Sequence, residues 1–186
     1  MNTILVTVIS SVLTSFIIVR PVAAVSPAQT VSPTPTTTVE QKVEYLLPYP
    51  GILPDHPLYF LKALRDRILE ALIVDPLRKS EFYLLQADKR LNMAIFFGNK
   101  GASSQAAQSV TIARQFMERT VRGLVAFRNS GSQVPASTVD RLEKSMAKHI
   151  EVLGNMVANA GESERQILTS ALENVKSLQG EAGKLK

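Results

Sequence analysis

Residues 137–160 read STVDRLEKSMAKHIEVLGNMVANA, and this stretch decides the fold. Val139, Leu142, Met146, His149, Leu153, Met156 and Ala160 recur at spacings that alternate three and four. On a helix, that alternation keeps one apolar stripe turned toward a partner helix. The same rhythm precedes the stretch at Ala106, Val110, Ala113, Met117, Thr120, Leu124 and Phe127. It returns after it at Leu168, Ala171, Val175, Leu178, Ala182 and Leu185. Three successive seams predict a coiled-coil-like bundle. Ser137-Thr138-Val139-Asp140 and Ser163-Glu164-Arg165-Gln166 both read as capping boxes, the second placed just after Gly161. The joint between the last two helices is then very short, and short loops make neighbours antiparallel.

Upstream, two more helices are legible. Leu58, Leu61, Leu64, Ile68, Ala71 and Leu72 recur at helical spacing after Pro57, with Asp55 or His56 as the expected cap. Asp75-Pro76 ends that helix and opens the next, through an acceptor side chain followed by a residue with no N–H to satisfy. Leu77, Leu84, Ala87, Leu91 and Ile95 share a face of this second helix, and Gly98-Asn99-Lys100-Gly101 closes it in a left-handed turn. The predicted helices are 57–74, 76–97, 103–129, 137–160 and 163–183, within a domain spanning 41–186. Nothing from Pro57 onward alternates with period two, so no sheet is expected. The fold class is all-α: an antiparallel bundle of about five helices with 3-4 seams.

The first forty residues have a different character. Ile4 to Val19 is an apolar core, and Val22-Ala23-Ala24 sets small residues before a cut at Val25. That order reads as a cleaved secretory signal over 1–24, although Met1-Asn2-Thr3 carries no basic side chain. An uncleaved membrane anchor is the alternative; it needs Arg20 and Pro21 to reach spanning length. Residues 25–40 follow as a tether, because three prolines, five threonines and two serines over 26–40 leave little to pack. Residues 41–57 are proline-rich too, but Tyr45, Leu46, Leu47, Tyr49, Ile52 and Leu53 lie between the prolines. Such a segment is expected to lie irregularly over the helices. Both readings of the N-terminus place the domain outside the cytoplasm, extracellular, at the cell surface or in a periplasm.

The chain has no cysteine, so a disulfide framework is excluded and the domain rests on its core. Without residues 1–24, 20 Lys+Arg face 16 Asp+Glu. The basic residues are spread out and there is no Trp, which argues against nucleic acid as a partner. Weak attraction to an anionic envelope polymer or lipid remains as a contact.

Residues 50–62, PGILPDHPLYFLK, resemble the opening of a prokaryotic family of exported helical domains of unknown function, whose phrase is of the LPDSPLYxLK type. The resemblance continues through the Asp75-Pro76 step and a helix carrying Ala87, Arg90, Leu91 and Ala94, and covers residues 48–98. His56 stands where that family more often has a small polar residue. The resemblance implies an exported or surface-exposed helical domain and supplies no catalytic residue.

The residues themselves offer little chemistry. His56 and His149 lie far apart, there is no Cys, and no Glu-x-x-His pair exists, so no metal site is expected. Ser130-Gly131-Ser132 lacks a nucleophile-elbow frame, and Gly98 and Gly101 lack the Gly-Lys pair of a phosphate cradle. No catalytic, cofactor-binding or metal residue is assigned, and no cofactor is expected. His56 reads as a surface side chain near a cap. His149 is the polar member of its seam, fit to fix register or to sense pH. Arg65, Arg67, Asp88 and Arg90 are the remaining polar residues of interest, with Asp88 expected to pair across to Arg65. Phe82, Phe96, Phe97, Phe116, Met117, Phe127, Met146 and Met156 read as core, or else as an adaptable groove for client peptides. The expected function is a non-enzymatic structural or interaction module at the cell envelope, acting on an unknown protein partner or by self-association. The alternative is an envelope chaperone or stress sensor that binds apolar clients; such a protein exposes a contiguous apolar patch.

Overall fold

Asp75 does at its joint what its chemistry demands. Its Oδ1 accepts from the backbone N–H of Leu77 at 2.7 Å and of Arg78 at 3.2 Å, while Pro76 occupies the first helical position. Two of the orphan donors of a helix start are thereby satisfied. The computed structural model describes residues 44–186. Within them run α1 (Tyr59–Leu72), α2 (Pro76–Asn99), α3 (Ser103–Asn129), α4 (Ala136–Ala158) and α5 (Glu162–Ala182), closed by a short 3-10 turn, Gly183–Leu185. No strand occurs among the described residues. The expected signal or anchor over 1–24 and the tether over 25–40 lie outside them.

Helices α2 to α5 form an up-down-up-down bundle. The α2–α3 turn closes on Gly101, whose φ of 73° is the left-handed conformation that the sequence predicted for this joint. The C-terminal end of α2, the start of α3, the C-terminal end of α4 and the start of α5 meet at one end of the bundle. Two helical hairpins, α2–α3 and α4–α5, therefore lie side by side, with α3 against α5 and α2 against α4. Helices α3 and α4 are joined in sequence, yet they are not principal packing neighbours. Leu153 is buried as expected, but its helix packs on α5 and α2 rather than on α3 and α5. The six-residue passage from Ser130 to Pro135 has the reach to step past a neighbour, and this is what the seam pattern alone does not reveal.

The seams themselves are the core. Val110, Ala113, Met117 and Leu124 of α3, Leu142, Met146 and Leu153 of α4, and Leu168, Ala171, Val175 and Leu178 of α5 belong to one buried cluster. Helix α2 adds Leu84, Ala87, Leu91 and Ala94. Helices α2 and α3 approach tightly at Gly123, where a Cβ would collide with the Ser80 hydroxyl. Glycine at this point lets the two backbones come together.

Several local expectations are corrected. Neither serine box caps a helix: α4 starts at Ala136 behind Pro135 and α5 at Glu162 behind Gly161, both without a side-chain cap. Ser137 and Ser163 already lie inside their helices, whereas an N-cap must sit outside. Ser163 donates instead to the Glu164 carboxylate at 2.6 Å. Helix α1 begins at Tyr59, not Pro57. Residues 53–59 are spent in turns, and His56, exposed as expected, accepts the Leu58 N–H on its Nδ1 at 3.1 Å. Phe96 is not core; it is 40% exposed beneath the Lys100 ammonium.

Candidate functional site

The polar groups of the interior converge on Asp88. Helix α2 carries it inward, and its Oδ1 accepts from Ser145 Oγ at 2.5 Å and lies 3.2 Å from His149 Nε2. Ser145 and His149 are one turn apart on α4, so both reach the same oxygen. The Tyr45 hydroxyl donates to Oδ2 at 2.7 Å, bringing in the N-terminal strap. Asp88, Ser145 and His149 are fully buried. Burial, followed by the neighbouring Asp88 charge, pushes the Tyr45 phenol up to about 12, with Arg141 acting in the opposite direction. The expected pair between Asp88 and Arg65 does not form. Arg65 forks onto its neighbour Asp66 at 2.7 Å along α1, while Asp88 faces the bundle centre. Aspartate, serine and histidine are thus together, but Ser145 directs its proton to the carboxylate, not to the imidazole. A nucleophile relay needs the hydroxyl on the base and open to substrate. This cluster works instead as a tie between the strap, α2 and α4.

A second tie holds the strap to α1. Lys62 Nζ donates to the Pro50 carbonyl at 2.6 Å and to the Ile52 carbonyl at 3.2 Å. Gly51, at φ 73°, turns both carbonyls toward it. Burial, with Arg90 next in effect, pulls the Lys62 ammonium down to about 8. Asn92 Nδ2 donates to the Pro48 carbonyl at 2.9 Å and completes the attachment.

Helix α1 is turned the opposite way from what its sequence suggests. Its shielded residues are Tyr59, Lys62, Ala63, Asp66 and Glu70, which occupy one arc. Glu70 accepts from the Tyr83 hydroxyl at 2.8 Å and pairs with Arg119 at 3.4 Å, and the Arg90 guanidinium lies over the Tyr59 ring. The polar arc therefore docks on the bundle. On the opposite arc, Phe60, Leu61, Leu64, Ile68 and Leu72 are 63, 50, 54, 50 and 70% exposed. Leu58 and Val74 extend this surface at its two ends. Its apolar periodicity was legible, but not its outward facing; the Tyr59-Lys62-Asp66-Glu70 spacing was the available sign of a second usable face.

A recess of about 490 Å³ opens at the α2–α3 and α4–α5 turns, among Ile95, Asn99, Asn155, Met156, Asn159 and Glu164. Ser130 and Ser132 lie in an exposed loop near the other end. Among the described residues there is no metal-holding group of His, Cys, Asp or Glu, and no helix long and apolar enough to cross a membrane. Met93, Met117 and Met146 are fully buried, so no methionine-lined groove forms from them. The fold and these sites define an all-α bundle with an appended, outward-facing amphipathic helix. No family model, curated protein or solved structure matches the chain.

Proposed function

We propose that the chain is an exported, non-enzymatic helical module with a structural or interaction role at the cell envelope, and that α1 is its docking element. The observation that carries this reading is the uncovered apolar arc of α1, since a contiguous patch of that kind marks an interaction surface. The bundle serves as a rigid mount, and the Asp88 and Lys62 ties hold strap and helix in place. Export rests on the Ile4-to-Ala24 pattern, and the likeness to exported helical domains at residues 50–62 agrees with it. The second reading, an envelope chaperone or stress sensor, is favoured by the same exposed arc, which apolar clients would cover.

Photo-crosslinking in the native cell tests this. A crosslinker replacing Leu64 on α1 is compared with one replacing Lys144 on α4. A docking role yields a discrete protein or lipid adduct at Leu64 and none at Lys144. Many adducts of varied mass at Leu64 favour the chaperone reading. Bare protein at both positions overturns the docking role.

A further inference from the structure

We propose that the outward face of α1 docks on an anionic lipid bilayer, an inference that rests on the docking role just given and names its occupant. The argument is one of charge placed around an apolar stripe. Both acidic residues of the helix, Asp66 and Glu70, belong to the arc turned to the bundle, with side chains only 16% and 30% exposed. The basic residues are placed differently. By helical geometry Arg65 and Arg67 flank the apolar arc on its two sides, and both are exposed. Lys89 adds a further cation beside Tyr49, Leu61 and Arg65. The surface offered is therefore apolar and flanked by cations, with Arg65 at its edge also bonded to the mostly shielded Asp66.

An interfacial helix on an anionic membrane is built this way: apolar side chains enter the acyl boundary while cations meet the headgroups. Phe60 and Tyr49, 63% and 82% exposed, supply aromatic rings suited to the same depth. A second copy of the chain is a poorer occupant. Stripe-on-stripe pairing would bring the flanking arginines of both copies together, while the helix's own two carboxylates belong to the arc turned to the bundle. A helix of 14 residues, about 21 Å long, also falls short of the roughly 1,600 Å² that a stable interface buries. The apolar run from Ile4 to Val19, whether cleaved or retained, is that of a chain that meets a membrane.

The absence of cysteine permits a direct test on the full chain. An environment-sensitive fluorophore is placed on Ile68→Cys, and in a separate protein on Lys144→Cys as the control. Each is reconstituted with vesicles of phosphatidylglycerol or of phosphatidylcholine, so that any contribution of the N-terminal run is common to all samples. The expected result is a blue-shifted emission and protection from an aqueous quencher at position 68, with phosphatidylglycerol only. The label at position 144 stays aqueous throughout. Adding Arg65→Gln and Arg67→Gln lowers the equilibrium constant for protection by roughly 30-fold, the effect of two basic residues at an anionic surface. A label at position 68 that remains aqueous with phosphatidylglycerol overturns the inference, as does equal protection in both lipids. The same labelled chain in lipid-free envelope extract then separates the two readings. Protection there keeps α1 as a docking element with a protein occupant, and no protection removes both.

Discussion

Asp88 divides its two carboxylate oxygens among Tyr45, Ser145 and His149. Removing one partner from a buried charged cluster strands the others, which typically costs about 3–5 kcal/mol. Asp88→Ala is expected to lose that much in urea unfolding, and a loss below about 1 kcal/mol would show the donors repaired elsewhere. His149, the polar member of its seam, has the Asp88 carboxylate as its partner across the seam. Lys62 gives the pH dependence. Its folded pKa of about 8 lies below the ordinary 10.5, so between these values the unfolded chain holds more protons than the folded one. Stability then rises as pH climbs through that window, and the cost of the buried charge is fully present below it. Tyr45 acts later and with the opposite sign, stability falling between the ordinary 10 and about 12. Urea melts at roughly pH 7 and 9.5 therefore isolate the lysine. Wild type should gain stability at the higher pH, and Lys62→Met should show none of that gain.

At the scale of elements, α1 and α4 carry apolar stripes of similar appearance and opposite fate. Leu153→Ala on α4 is expected to cost about 2–5 kcal/mol, since a buried side chain leaves a cavity. Leu64→Asp on α1 is expected to stay within about 0.5 kcal/mol in the isolated protein, as at an open surface. Equal losses at the two sites would mean that α1 turns its stripe inward in solution. The α2–α3 pair offers a second contrast. Gly123→Ala presses a methyl group on Ser80, which is buried and already bonded to the Pro76 carbonyl. Overpacking of this kind costs about 1–3 kcal/mol. Ser80→Ala in the same chain removes the clashing hydroxyl and should restore most of the loss. Thermal melts of the two single variants and the double variant measure it.

Over the whole chain, the first forty residues and the bundle make separate statements. The Val22-Ala23-Ala24 pattern predicts a mature chain beginning at Val25. Intact mass of the protein purified from its native cell decides this, and a chain that keeps Met1 to Arg20 would select the anchor instead. The helical fold was legible because its signals are local. Seam spacing, the Asp75-Pro76 step and the Gly101 turn each act within a few residues, and each reappears in the structure. Helix starts were less legible: Pro135 and Gly161 pre-empted the serine boxes by one or two residues.

By itself the sequence determined the five helices of the described residues and their 3-4 seams, because periodicity and residue type are properties of short stretches. Only the tertiary structure decided that α3 packs chiefly on α2 and α5 rather than on α4, that Asp88 gathers Tyr45, Ser145 and His149 rather than Arg65, and that α1 shows its apolar face to the outside. The physical reason is that each of these depends on partners far along the chain. Helix α1 has two faces able to pack. Its polar face is engaged by Tyr83 and Arg90 of α2 and by Arg119 of α3, and this long-range set of partners decides which face turns inward.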